Sequence, residues 1–230
     1  MKNKLLLPLL PAALLGITAI AADLPISKEQ QSELTPDKVL ADLMEGNKRY
    51  VEGKIAEPNI KERIKASASG QYPQAVILSC LDSRVPVEMI FDQGIGDIFV
   101  GRVAGNIENV DQLGSMEFAT AAAGVKLVMV LGHEACGAVK GACDNVELGN
   151  LTDLLKKIKP AIDSVEGHEG ARNSKNKEFV DAVIKANVIQ TVADIRERSE
   201  VLAKMEKEGK IKIVGGIYSL QDGSVTLLED

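Results

Sequence analysis

The 230-residue chain has no tryptophan, four phenylalanines and three tyrosines. Aromatic platforms on which bases or sugars stack are therefore not available. Cysteine occurs three times, at Cys80, Cys136 and Cys143, an odd set that cannot pair fully into disulfides. Internal repeats, low-complexity linkers and a Pro/Gly-rich break in mid-chain are all absent, which argues for one domain. Positive charge is also short. With 27 Lys and Arg against 33 Asp and Glu the net charge is −6, a poor basis for holding nucleic acid or an anionic membrane.

One long apolar run is present, Leu5 to Ile20, preceded by Lys2 and Lys4. It is shorter than the roughly 20 residues of a membrane span and is broken by Pro8 and Pro11. With small residues at Ala19-Ile20-Ala21, residues 1–22 read as a secretory signal peptide, which predicts a periplasmic or secreted protein with no membrane span in the mature chain. No cysteine follows the leader to carry a lipid. Losing its two lysines and no acid takes the net charge from −6 to −8. Residues 23–230, in a chain that is 45% hydrophobic, suffice for one sizeable core, read as a single catalytic domain.

Cys80, His133 and Cys136 carry the chemistry. Together they offer a metal two thiolates and an imidazole, with the fourth tetrahedral position free, the ligand count of a catalytic zinc site. Cys80 opens the loop Cys80-Leu81-Asp82-Ser83-Arg84 directly after the apolar run Ala75 to Leu78, and Gly132-His133-Glu134-Ala135-Cys136-Gly137 follows the run Leu127 to Leu131. If both runs are adjacent parallel strands, their loops meet in the crevice beyond the strands' carboxyl ends. A Cys80–Cys136 disulfide is the competing use of the thiols, and an ordinary ion pair that of Asp82 and Arg84. Cys143 reads as a small buried hydrophobe and His168 as a solvated loop residue or a proton relay.

The segments CLDSRVPVEMIFDQGIGDIFVGRVAGN (Cys80 to Asn106) and GHEACGAV (Gly132 to Val139) resemble the β-class carbonic anhydrases, and the resemblance runs from about Asp37 to about Leu228. It implies one Zn2+ per chain on Cys80, His133 and Cys136, and an Asp82/Arg84 catalytic dyad. It implies a substrate pocket with Gln71, Phe99, Ala104 and Gly137. Phe118 stands where the family has a pocket tyrosine, so that hydroxyl is missing. Ile77 stands where a regulated subgroup has tryptophan, which favours the open, constitutively active form. The implied activity is reversible hydration of carbon dioxide to bicarbonate and a proton. Two thiolates and an imidazole cancel the charge of Zn2+, so its water is acidified less than at an all-histidine site, and Asp82 helps by accepting that water's hydrogen while Arg84 orients Asp82. Three other functions fit parts of the pattern: a same-fold hydrolase of carbon disulfide or carbonyl sulfide, a non-catalytic zinc-binding module, and a metal-free cysteine hydrolase using Cys80 with His133.

The remaining pattern predicts an α/β fold, a central mostly parallel sheet flanked by helices, with a C-terminal antiparallel hairpin and an N-terminal helical arm. Residues Asp23 to Leu34 read as a mobile polar arm. A helix starts at Thr35-Pro36, and further helices are expected at 87–91, 112–123, 137–143, 151–165 and 176–207. Strands are expected at 74–79, 97–103 and 126–131, and a hairpin at 211–220 and 225–228. Gln71 precedes the first strand and Cys80 follows it, a separation of roughly 25 to 30 Å along an extended chain. In the resembled family this glutamine reaches the site of a neighbouring subunit, which implies a homodimer or tetramer.

Overall fold

The computed structural model describes residues 24–229, so the leader read at residues 1–22 lies outside the described residues. The strands are β1 (Ala75–Ser79), β2 (Ile98–Arg102), β3 (Leu127–His133), β4 (Lys212–Tyr218) and β5 (Val225–Leu227). Among the described residues they form one sheet in the order β2-β1-β3-β4-β5. The first four are parallel, and β5 returns antiparallel to β4 as the expected hairpin. The helices are α1 (Lys28–Glu33), α2 (Pro36–Val51), α3 (Ile60–Ser67), α4 (Val87–Ile90), α5 (Val110–Glu117), α6 (Gly137–Cys143), α7 (Gly149–Lys156), α8 (Lys159–Ser164), α9 (Lys177–Arg198) and α10 (Glu200–Lys207).

β1 and β3 are buried along their whole length, which is why they read as continuous apolar runs and not as alternating ones. Alternation still sorts their side chains between two layers. Val76, Leu78, Val128 and Val130 pack with Leu113 and Met116 of α5 and Val188, Val192 and Ile195 of α9. Ala75, Ile77, Leu127 and Met129 pack on the other face with Val39 and Leu43 of α2 and Ile90 of α4. A third cluster caps the carboxyl ends of the strands, where Cys80 and Cys136 meet Val139, Leu155, Ile158 and Phe179. Gly132 and Gly215 let α9 close on the sheet: a Cβ at either would stand 2.5 or 2.7 Å from a methyl of Val188.

Several expectations need correcting. The arm is anchored: α1 carries a capping box of Ser27 and Gln30, and buried Gln31 donates from Nε2 to the carbonyls of Pro73 and Ala123. The helix α3 was not anticipated. The helix expected over 151–165 divides into α7 and α8, because Pro160 has no N–H to continue the ladder. The helix expected over 176–207 divides at Ser199, whose extended backbone ends α9 and whose hydroxyl accepts from the Leu202 N–H to cap α10. The helix expected at 112–123 starts two residues earlier and finishes in a wide π turn, Phe118–Ala122. β3 runs on to include His133, which therefore sits on a strand and not in the following loop.

Candidate metal centre

β1 and β3 are neighbours in register, Ser79 opposite Leu131. Cys80, one step past β1, and His133, the last residue of β3, thus emerge side by side at the same end of the sheet. Cys136 follows after a reversal in which Ala135 takes a left-handed φ of 52°. For a residue with a Cβ that conformation costs roughly 1–2 kcal/mol, and it is what folds the third ligand back towards the first two. Cys136 is then the N-cap of α6, where the first-turn N–H groups of Val139 and Ala138 favour its thiolate.

The three donor groups are buried and their ligating atoms lie within 4.8 Å of one another. The Cys80 and Cys136 sulfurs are 3.9 Å apart and unbonded. Two sulfurs at about 2.3 Å from a tetrahedral ion would be about 3.8 Å apart, so the spacing suits zinc. The imidazole is prepared in the same sense. Nδ1 of His133 is 2.8 Å from the carbonyl of Glu134, an acceptor only, so Nδ1 carries the proton and Nε2 a free lone pair. That Nε2 is buried with no hydrogen-bond partner. A buried lone pair left unmatched beside two sulfurs is what a metal would satisfy.

The Cys80 thiol is pulled down, first by the hydrogen bond from Cys136, with further help from the N–H groups of Gly105 and Asp82, and against the opposing effect of burial. Cys136 is pushed up by the same partner and by burial. One proton of the pair leaves easily and the other is held, because a second thiolate beside the first would be repelled. A divalent cation removes that repulsion.

Asp82 lies 3.8 Å from His133, measured Oδ2 to Nε2. Arg84 donates from Nε to Oδ1 at 2.9 Å and from Nη2 to Oδ2 at 2.7 Å, and its backbone N–H adds a third bond to Oδ1 at 2.9 Å. This fork holds the Asp82 carboxyl well below the usual carboxylate range, against a smaller effect of burial.

Other residues that hold the site had drawn no role from sequence. Arg102, at the end of β2, donates to the carbonyls of Cys80 (3.0 Å), Asp82 (2.6 Å) and Val85 (2.9 Å), tying down the whole Cys80–Val85 loop. The N–H of Gly105 donates to the Cys80 sulfur at 3.3 Å, and Asn187 of α9 donates to the Gly105 carbonyl at 2.8 Å. Arg102 and Gly105 lie inside the motif that carried the resemblance, so the signal was there without its meaning.

The fold brings Ala104 next to the cluster, immediately before Gly105. Gly137 is exposed at the start of α6, with open space where a Cβ would stand. Gln71 and Phe99 are not brought to the cluster within the chain. Gln71 is exposed before β1 begins. Phe99 pairs with Val76 near the start of β2 and packs against Phe118, their ring centroids 6.4 Å apart. Cys143 is buried in α6, its thiol pushed up mainly by burial, as expected of an apolar filler. His168 is half-buried, with its ring on Phe179 and Nε2 3.1 Å from Asn176, and stands outside the cluster.

Residues 75–225 match the family described as Carbonic anhydrase. Carbonic anhydrase 2 of Mycobacterium tuberculosis is 38% identical over 191 residues, 80% of this chain and 89% of that protein. Among solved structures, the β-carbonic anhydrase CafA of Aspergillus fumigatus superposes with a TM-score of 0.66 at 26% identity, covering 84% of this chain and 90% of that one. The chain belongs to the β-class carbonic anhydrases.

As a carbonic anhydrase it catalyses the reversible hydration of carbon dioxide to bicarbonate and a proton, and its metal is zinc. A chain from the crystal structures of two tetrameric β-carbonic anhydrases of Sordaria macrospora is also similar, with a TM-score of 0.62 at 25% identity over 71% of this chain and 84% of that one. No helix among the described residues is long and apolar enough to cross a membrane.

Proposed function

We propose that Cys80, His133 and Cys136 hold one zinc ion per chain and that Asp82 and Arg84 align the reaction. The observation that carries this is the convergence of two free sulfurs and an unpartnered, correctly tautomerised imidazole nitrogen on one buried point. Zinc held by these three residues would supply a water acidified enough to act as nucleophile near neutral pH. Asp82, an acceptor only when ionised, takes the hydrogen of the attacking oxygen and so aims its lone pair at carbon. Arg84 keeps Asp82 ionised and fixed in plane. Because Arg84 occupies both oxygens of Asp82, the carboxylate is held in this pairing and would not serve as a fourth ligand, which would leave that position to water, as turnover requires and a purely structural zinc module would not. Cys136→Ser should lose metal and turnover together, whereas Asp82→Asn should keep metal and lose turnover. Metal-free, fully active Cys136→Ser protein would refute the assignment. A panel of carbon dioxide, carbonyl sulfide and carbon disulfide separates hydration from hydrolysis of its linear isosteres.

The pocket is completed by a second copy of the chain. Gln71 and Phe99, which the resemblance assigns to substrate, are placed away from the chain's own metal cluster. Around the outer edge of the sheet, Phe118 is 60% exposed and Val110 74% exposed, and Leu81 in the metal loop is 67% exposed. A groove of about 780 Å3 lined by Phe99, Val110, Met116 and Phe118 runs along β2. An unpaired edge strand flanked by exposed apolar side chains is what a two-fold partner covers. The tetrameric Sordaria relatives support such an assembly. Mixing inactive Gln71→Ala with inactive Cys136→Ser protein under subunit exchange should restore activity, since one site of each mixed dimer draws both intact parts. No recovery despite exchange would refute the shared site.

The protein is exported. Lys2, Lys4, the apolar stretch and Ala19-Ile20-Ala21 support cleavage near Ala21 or Ala22, delivering the enzyme to the periplasm or beyond. There it would exchange carbon dioxide and bicarbonate for carbon uptake or acid control. N-terminal sequencing from the native host should find a start at Ala22 or Asp23. Intact Met1 on cytoplasmic protein would overturn this.

A further inference from the structure

Glu134 sits between two ligands and makes four kinds of contact. Its N–H donates to the Tyr218 carbonyl at 3.1 Å, joining β3 to the end of β4. Its own carbonyl accepts from Nδ1 of His133 at 2.8 Å. Its carboxylate reaches into the turn between β4 and β5, where Oε2 accepts from the Leu220 N–H at 2.9 Å and the Ser219 hydroxyl at 3.4 Å. Oε1 accepts from Gln221 Nε2 at 3.4 Å. The hairpin turn is itself fixed from behind, since Asn47 donates to the Gly223 carbonyl and accepts from the Val225 N–H.

These contacts form a chain of constraint. Asn47 holds the turn, the turn holds the Glu134 carboxylate, and the side chain and N–H of Glu134 together fix its Cα from two sides. The Glu134–Ala135 peptide plane that leaves this Cα carries the carbonyl against which the imidazole is oriented. The next residue, Ala135, is in the left-handed region and gives the carbonyl little support of its own, because its backbone would relax if released.

We propose that Glu134 is a positioning residue for the metal centre: by gripping the β4–β5 turn, its carboxylate fixes the carbonyl that sets the tautomer and ring orientation of His133. The inference rests on the assignment of Cys80, His133 and Cys136 as ligands. It concerns the hydrogen bond and not the charge, so an amide in the same place should serve.

The test is zinc affinity, measured by competition with a chromophoric chelator, with the absorption of the Co2+-substituted protein as a second readout. Loss of a partner behind a ligating histidine typically weakens metal binding about 10- to 100-fold. Glu134→Ala should fall in that range and shift the cobalt spectrum, while Glu134→Gln, which keeps an oxygen for the Leu220 N–H, should stay within about 3-fold of wild type. If Glu134→Ala does not fold, Glu134→Asp, too short to reach the turn, takes its place with the same expectation. Wild-type affinity and an unchanged cobalt spectrum in Glu134→Ala or Glu134→Asp would overturn the proposal. So would Glu134→Gln as weak as Glu134→Ala, since charge would then be the cause. Failure of the wild type to bind zinc would instead remove the ligand assignment.

Discussion

Arg84 meets Asp82 fork to fork, Nε on Oδ1 at 2.9 Å and Nη2 on Oδ2 at 2.7 Å, although the two residues are only two apart and Arg84 is itself exposed. A pair so close in sequence needs a turn to face itself, and the Arg84 N–H to Oδ1 bond is that turn. The guanidinium is thereby directed by its own backbone. Arg84→Lys keeps the charge but not the two-pronged geometry. Turnover should fall at least about 10-fold with zinc content unchanged, measured by stopped-flow hydration beside metal analysis. Wild-type turnover in Arg84→Lys would show that charge alone suffices.

The same pair makes a statement about pH. Asp82 is depressed in the folded protein, so its ion pair contributes stability above the ordinary aspartate value of about 3.9 and loses it as pH falls towards the lower folded value. The difference in melting temperature between wild type and Asp82→Asn should be flat from about pH 5 to 8 and shrink below about pH 4. A difference that changed through pH 6 to 8 would mean that another group is titrating.

Arg102 holds three carbonyls of the metal loop with one guanidinium. Arg102→Leu leaves them without that donor, and a loss on the order of 2 kcal/mol in urea denaturation is expected. Zinc should also leave faster, because the Cys80 loop is no longer tied to β2. Unchanged stability and zinc off-rate would remove Arg102 from the support of the site.

Gly132 precedes His133 where α9 crosses the sheet, and a Cβ there would stand 2.5 Å from Val188 Cγ2 and 3.1 Å from Ile217 Cδ1. Gly132→Ala should destabilise by about 1–3 kcal/mol and disturb zinc binding, while Gly132→Ala with Val188→Ala should recover part of both. No recovery in the double variant would place the strain elsewhere.

The metal ligands were legible because Cys80 and His133 stand where a fully buried strand ends, an apolar run stopping at a residue with chemistry, and Cys136 follows His133 three residues on. The parallel order followed from the alternation of such runs with helices. Other features were hidden for physical reasons. The helix α3 has the sequence IKERIKAS, whose Ile60 and Ile64 are exposed while Arg63 is the buried residue, paired to Asp97, so no apolar stripe announces it. Ser199 looks like any polar residue in a long amphipathic stretch until its hydroxyl is seen capping α10. Gln31 gave no sign that a polar arm would be pinned, because its partners are two backbone carbonyls distant in sequence. The supporting roles of Arg102, Asn187 and Glu134 could not be assigned likewise, since each acts on main-chain atoms, although Arg102 and Glu134 stand inside the motifs that carried the resemblance.

The most direct test of the central claim is X-ray absorption at the zinc edge on the purified enzyme, with zinc per chain measured on the same sample. About one zinc per chain is expected, with a first shell of two sulfurs near 2.3 Å and two lighter atoms near 2.0 Å, one of them the His133 nitrogen. A zinc site without sulfur, or an active enzyme with no zinc and a Cys80–Cys136 disulfide, would contradict the account.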